Sequence, residues 1–156
     1  MIKNNVTRLL EALGIPYTAF ELPAEKLSAV EAAQYLGVDP ELVYKTIVVL
    51  RIGRGKPILA VVPGPLEVDL KALAKAVGER KLVLATQRQA EQVTGLLTGG
   101  ISPLALLNRG FEVIVDALAE LYPQIYISGG QRGLNICLPT AALITLTEAK
   151  VAEISA

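Results

Sequence analysis

The chain has 156 residues, 52% of them hydrophobic, and its 15 basic and 15 acidic side chains balance to zero net charge. It holds one cysteine and no histidine, which excludes an internal disulfide, a thiolate or imidazole metal site, and any nucleophile activated by histidine. The charge balance leaves no broad basic surface for wrapping nucleic acid, while contact with a short, localised piece stays open.

A chain of this length reads as a single domain, 1–156, able to bury about two-thirds of its unfolded surface. No apolar run approaches the ~18 residues of a membrane span, so the apolar excess reads as buried strands and no membrane association is expected. The opening residues Met1 to Asn5 carry no apolar signal core. With a single cysteine, this points to a reducing, cytoplasmic setting.

In chain order, Val6, Leu9, Leu10 and Leu13 recur at helical spacing before Gly14 and predict a helix over 4–13. Residues 17–22 read as a short strand. Ser28 and Glu31 form a capping box for a helix ending at Gly37, and Asp39-Pro40 caps a brief third helix. The β-branched run 47–50 is a strand, turned by Gly53-Arg54-Gly55 into a partner at 58–62 that Pro63-Gly64-Pro65 breaks. Asp69 caps a helix through Leu70, Leu73, Ala74 and Val77 to Gly78. A strand at 81–85 precedes a second capping box, Thr86 with Gln89, whose helix ends near Gly95. Beyond a glycine loop, 104–107 reads as a strand, 111–115 as a strong strand and 117–121 as a short helix. Residues 125–127 and 134–138 form a hairpin around a second glycine loop, 140–149 a last helix and 151–154 a closing strand. Short strands with irregularly interspersed helices indicate an α+β fold with a strongly curved mixed sheet and peripheral helices.

The two glycine loops share one chemistry. Thr98-Gly99-Gly100-Ile101-Ser102-Pro103 and Ser128-Gly129-Gly130-Gln131-Arg132-Gly133 each join a hydroxyl to glycines that permit close backbone approach. They read as two walls of one pocket or as two ordinary turns. Lys45 stands where a capped turn becomes an apolar strand. Its ammonium either snorkels to water or serves as a fixed cation for a phosphate or an oxyanion. Thr46 beside it faces the other way. Asp116 is a helix cap or a site carboxylate, and Arg132 a phosphate ligand or a solvated turn residue. Cys137, between Ile136 and Leu138, reads as an inert buried thiol. Pro63-Gly64-Pro65 is a candidate pocket rim.

Taken together, three stretches resemble, in order, the motifs of the YbaK/EbsC family of aminoacyl-tRNA deacylases, related to the editing domain of bacterial prolyl-tRNA synthetases. These are Val43-Tyr44-Lys45-Thr46, Thr94-Gly95 with Gly99-Gly100-Ile101-Ser102-Pro103, and Ser128-Gly129-Gly130-x-Arg132-Gly133-Leu134. The match is collinear over essentially the whole chain. It implies a barrel-like mixed sheet with helices outside, and a free-standing enzyme that removes a wrong amino acid from tRNA with no cofactor or metal. By the resemblance, Lys45 contacts the 3′-terminal nucleotide or holds the aminoacyl ester. The amides of Gly99 and Gly100 orient the ester carbonyl, and Ser128 and Gly129 form the opposite wall. Phe20, Ser28, Ile101, Ser102, Arg132 and Asn135 complete the expected substrate-binding set.

That chemistry suits the composition. An aminoacyl ester is already activated, so carbonyl polarisation, positioning and a nucleophile brought by the substrate suffice without histidine. In cysteine-specific members the nucleophile is the misattached cysteine's own thiol; in alanine-editing relatives water or a ribose hydroxyl takes part. This chain departs from the cysteine-specific pattern near Ala19-Phe20, where those members carry a tyrosine, and near Leu27-Ser28, where they carry a phenylalanine. It departs again at Asn135, where they have an aspartate. The expected substrate is Cys-tRNA(Pro), with alanine or another small residue as the alternative. A non-catalytic module binding a tRNA 3′ end or a synthetase is the reading of another class. With few phosphate contacts, selection of one tRNA would fall to a partner, prolyl-tRNA synthetase.

Overall fold

Capped helices and β-branched runs alternate along the chain, and the computed structural model, which describes residues 2–156, keeps each of them short. Helix α1 (Asn5–Ala12) leads to β1 (Thr18–Glu21), α2 (Ala29–Leu36) and β2 (Tyr44–Arg51). Then come β3 (Ile58–Pro63), α3 (Leu70–Val77), β4 (Leu82–Leu84) and α4 (Gln87–Thr94). The chain closes with β5 (Glu112–Asp116), β6 (Gln124–Ser128), β7 (Leu134–Pro139), α5 (Thr140–Thr147) and β8 (Lys150–Ala152). The predicted caps form as reciprocal boxes, Ser28 with Glu31 and Thr86 with Gln89, each satisfying two otherwise orphaned N–H groups. Among the described residues no helix is long and apolar enough to cross a membrane.

The strands fall into two sheets. One has the order β1-β7-β6 and is antiparallel; the other has the order β4-β2-β3-β5-β8 and is mixed. The α+β expectation holds, but the strongly curved, barrel-like sheet does not. The two sheets meet at a single bridge, Val43 to Tyr126. β6 ends two residues past that bridge, where Gly129-Gly130 turn the chain, and the two sheets stay unclosed.

Residue alternation sets the layers. All six residues of β3 are buried. Leu59 and Val61 face the core shared with Ile125, Ile127, Ile136 and Leu138 of the small sheet. Ile58, Ala60 and Val62 face Leu73 and Ala74 of α3. The large sheet is thus a middle layer, covered by α3 on one side and by the small sheet on the other. Tyr126, Ser128, Asn135 and Cys137 alternate with the core residues and occupy the opposite face of the small sheet, where Tyr126 packs with α2 residues Ala29, Ala32 and Ala33.

Residues 104–107 do not form a strand. Pro103 opens a 3-10 turn over Pro103–Leu106, and the Ser102 hydroxyl accepts the Leu104 N–H at 3.2 Å. Proline at the first position and a hydroxyl before it favour a helical turn over a ladder. The last strand also lies earlier than expected, at Lys150–Ala152, because Ile154 is held elsewhere. Its N–H donates to Asp116 Oδ1 at 2.9 Å, while Oδ2 of the same carboxylate accepts the Leu118 N–H at 3.1 Å.

Asp116 is therefore both the expected cap and the anchor of the C-terminal segment, and it is only 2% exposed. Asp116→Ala strips a charged acceptor from two N–H groups and should lower unfolding stability by about 2–4 kcal/mol. Urea unfolding checks this; a loss under about 0.5 kcal/mol would contradict the double-anchor role.

Candidate functional site

Where the two sheets part, a cleft of about 340 Å³ opens. Its borders are the start of β2, the segment entering α2, the first glycine loop and the residues joining β6 to β7. Apolar side chains Leu22, Leu27, Ile47 and Leu134 and the small residues Ala29 and Ala32 supply much of its wall. The volume lies near the lower end of the ~300–1,000 Å³ typical of small-molecule sites.

Lys45, Ser28, Gly99, Ile101, Ser128 and Asn135 all border this one cleft. Both glycine loops and the lysine thus share it. Lys45 leaves the second residue of β2, and its ammonium Nζ donates to the Gly64 carbonyl at 3.0 Å. It also reaches Glu67 Oε1 at 3.4 Å, a pair whose carboxylate side chain is 83% exposed and so screened by solvent. The lysine is held at the cleft and does not snorkel away from it. Thr46 borders the cleft as well, and the β2–β3 register sets it beside Val61, on the face opposite Lys45 beside Val62, as alternation expects.

Three polar atoms of residues bordering this cleft, Asn135 Oδ1, Thr98 Oγ1 and Tyr44 OH, are buried without a hydrogen-bond partner among the described residues. A buried polar atom left unpaired costs about 1–3 kcal/mol, and a water or a bound group is what ordinarily satisfies it. Asn135 faces Ser128 across β7 and β6. The Ser128 hydroxyl accepts the Gly130 N–H at 3.2 Å, and the Ser28 hydroxyl is engaged as the α2 cap.

The other expected site residues do not border the cleft. Gly100 is buried, its N–H donates to Leu97 O at 2.8 Å, and a Cβ there would stand 2.7 Å from Arg132 N. Its amide is spent inside the loop and is not available to an ester carbonyl. The Gly99 N–H, by contrast, donates to no acceptor among the described residues. Gly129 packs so tightly that a Cβ would meet Leu134 at 2.6 Å, and its N–H donates to Leu134 O. Ser102 is fully buried as the cap already described. Phe20 lies across from Asn135 in the β1–β7 register, but its ring packs against Tyr126 at 5.8 Å between centroids. The Arg132 Nε–H donates to Thr98 O at 2.8 Å, tying one glycine loop to the other.

Several titratable groups at or near the site depart from their ordinary values, among them Glu31, which its Ser28 cap holds low, and Tyr44, which burial pushes up. The Glu91 carboxyl is held low, chiefly by the Thr98 N–H it accepts at 2.8 Å. Burial pushes the Cys137 thiol up, the opposite of what a nucleophile needs, and Cys137 does not border the cleft. Sequence reasoning left Gly64 as no more than part of a candidate rim. Its signal was the glycine between two prolines: a Cβ at Gly64 would stand 2.9 Å from the Ala29 Cβ and 3.0 Å from Val43 O. Thr98 Oγ1 had no signal of its own, since loop threonines are ordinary.

The family model described as the aminoacyl-tRNA editing domain matches residues 24–146 of this chain. A candidate Cys-tRNA(Pro)/Cys-tRNA(Cys) deacylase, EbsC, from Enterococcus faecalis is 36% identical over 155 residues, 98% of this chain and 93% of that one. The proline–tRNA ligase of Thermodesulfovibrio yellowstonii is 32% identical over 124 residues, 79% of this chain but 20% of the ligase. The crystal structure of a candidate trans-editing enzyme for prolyl-tRNA synthetase superposes with a TM-score of 0.79 at 26% identity, covering 100% of this chain and 99% of that one.

The contact between the loops gives a direct test. Gly100→Ala forces main chain from main chain and should destabilise the fold by about 1–3 kcal/mol. Calorimetry reads this as a lowered Tm; an unchanged Tm would mean the loops do not touch as described.

Proposed function

The chain belongs to the aminoacyl-tRNA editing family, and on that premise we propose that it is a trans-acting deacylase that clears cysteine from Cys-tRNA(Pro). The observation that carries this reading is the convergence on one cleft of the Lys45 ammonium, the bare Gly99 N–H and the unpartnered oxygens of Asn135 and Thr98. The cleft suits an acylated terminal nucleoside and is far too small for the body of a tRNA.

Each group has a role in this account. Lys45 holds the ester or the terminal nucleotide by its cation, with Gly64 O fixing where Nζ sits. The Gly99 N–H donates to the carbonyl oxygen as negative charge develops on it. Asn135 Oδ1 and Thr98 Oγ1 accept from donors of the bound aminoacyl group. No side chain of the protein has to act as nucleophile. The substrate's own thiol sulfur bonds to the carbonyl carbon, the carbon–oxygen ester bond breaks, and the thiol proton ends on the ribose oxygen. The resulting cyclic thioester is then opened by water to cysteine. Proximity within one substrate supplies much of the acceleration.

The charges bordering the cleft support a shared task with a synthetase. Lys26 and Lys45 are its two cations, set against Glu25 and Glu31. So few cations give weak tRNA binding with a shallow salt dependence, and a partner that already holds tRNA(Pro) would supply the selectivity. A domain of this kind lying within a proline–tRNA ligase supports the same pairing.

Deacylation of Cys-, Ala-, Ser- and Pro-tRNA(Pro) by the wild type and Lys45→Ala tests the proposal. Selective loss of Cys-tRNA(Pro) is expected, with kcat/KM falling about 10²–10³-fold on the substitution. Cleavage of Ala-tRNA(Pro) would show that no substrate thiol is required and would assign alanine editing. Cleavage of none, with or without prolyl-tRNA synthetase, would leave a non-catalytic binding module.

A further inference from the structure

One residue beside the cleft, Thr98, is held on its two flanking peptide groups by charges of opposite sign. The Glu91 carboxylate, in the last turn of α4, accepts the Thr98 N–H at 2.8 Å. The Arg132 guanidinium, 34 residues further along, donates from Nε to Thr98 O at 2.8 Å. The arginine is half-buried, and its Cγ would lie 3.7 Å from a Cβ built on Gly99. Gly99 itself stands at φ +94°, a conformation left to glycine, and a Cβ on Gly100 would lie 2.7 Å from Arg132 N. The arginine is thus pressed against the first loop along its backbone as well as through its side chain.

The planarity of the peptide gives this contact a chemical consequence. Thr98 C=O and Gly99 N–H belong to one trans peptide group, so they point in opposite directions. Fixing the oxygen on Arg132 aims the Gly99 N–H away from the arginine, and that N–H is the one in the glycine pair without an acceptor among the described residues. A cation on the carbonyl oxygen also polarises the peptide and makes its N–H a stronger donor. We propose that Arg132 is a positioning residue: by gripping Thr98 O against the Glu91-held N–H, it aims and strengthens the Gly99 N–H that meets the substrate carbonyl. The proposal rests on the deacylase reading and replaces the phosphate-binding role expected for Arg132.

The test compares Arg132→Met, which keeps the apolar stem but loses the donor, with Arg132→Lys, which restores a donor able to reach Thr98 O. Two readouts are needed, steady-state deacylation of Cys-tRNA(Pro) and amide hydrogen exchange followed by NMR. For Arg132→Met, kcat should fall about 10–100-fold with KM within about twofold. The salt dependence of KM should be unchanged, because no phosphate contact is lost. Arg132→Lys should recover most of kcat. Independently of activity, the Gly99 amide resonance should move in Arg132→Met and the Gly100 amide should exchange at least about tenfold faster, with the Leu73 core amide unchanged. A raised KM with unchanged kcat and a shallower salt slope would overturn the proposal in favour of a phosphate contact. An active wild type with Gly99 and Gly100 amides unmoved by the substitution would overturn the arginine's assignment alone. A wild type inert on every aminoacyl-tRNA would overturn the deacylase reading, and the catalytic consequence drawn for Arg132 with it.

Discussion

Gly100 and the Gln131–Arg132 peptide approach so closely that a Cβ on Gly100 would stand 2.7 Å from main-chain atoms of the other loop. This contact constrains the rest of the site. It brings the arginine within reach of Thr98 O, and it sets Gly99 at the cleft edge in a left-handed conformation. It also leaves the cleft between the first loop and the residues entering β7. The glycines of the two loops act here as one device, because either loop could make its turn alone but only glycine at 100 lets them meet.

A second constraint comes from what the chain lacks. Without histidine, and with a single cysteine whose thiol is buried and shifted up, the protein has no activated nucleophile of its own. What the cleft offers is a fixed cation, a bare amide donor and unpartnered oxygens. In the proposed reading those groups polarise and position rather than attack, which suits an activated ester that carries its own nucleophile. The Tyr44 phenol, adjacent in sequence to Lys45, does not change this. Burial pushes its pKa well above the ordinary value, with the Asp116 charge adding to the effect, so it stays protonated.

Local signals in the sequence were enough for most elements. Alternation in Leu134-Asn135-Ile136-Cys137-Leu138 puts apolar residues in the core and Asn135 on the cleft face, and capping boxes locate α2 and α4. The strand expected at 104–107 was lost to Pro103 and the Ser102 cap, a local signal outweighed by the apolar run that follows it. Closure of the sheet could not be read locally, since it depends on how far β6 runs past the Val43–Tyr126 bridge. Among site residues, Lys45 and Asn135 were legible because strand position fixes where they point. The packing of Gly100 on the second loop and the Arg132 bond to Thr98 O could not be read from the sequence, because a backbone packing contact and a hydrogen bond spanning 34 residues leave no local trace.

The central claim is that the cleft between the two sheets receives the acylated end of a tRNA. A crystal structure with a non-hydrolysable cysteinyl-amide analogue of the 3′-terminal adenosine tests it most directly. The account predicts the carbonyl oxygen within hydrogen-bond distance of Gly99 N–H and the analogue's donors on Asn135 Oδ1 or Thr98 Oγ1, with Lys45 against its ester-equivalent or ribose. An analogue bound elsewhere on the protein, or in the cleft with Asn135, Thr98 and Gly99 still unpartnered, would contradict it.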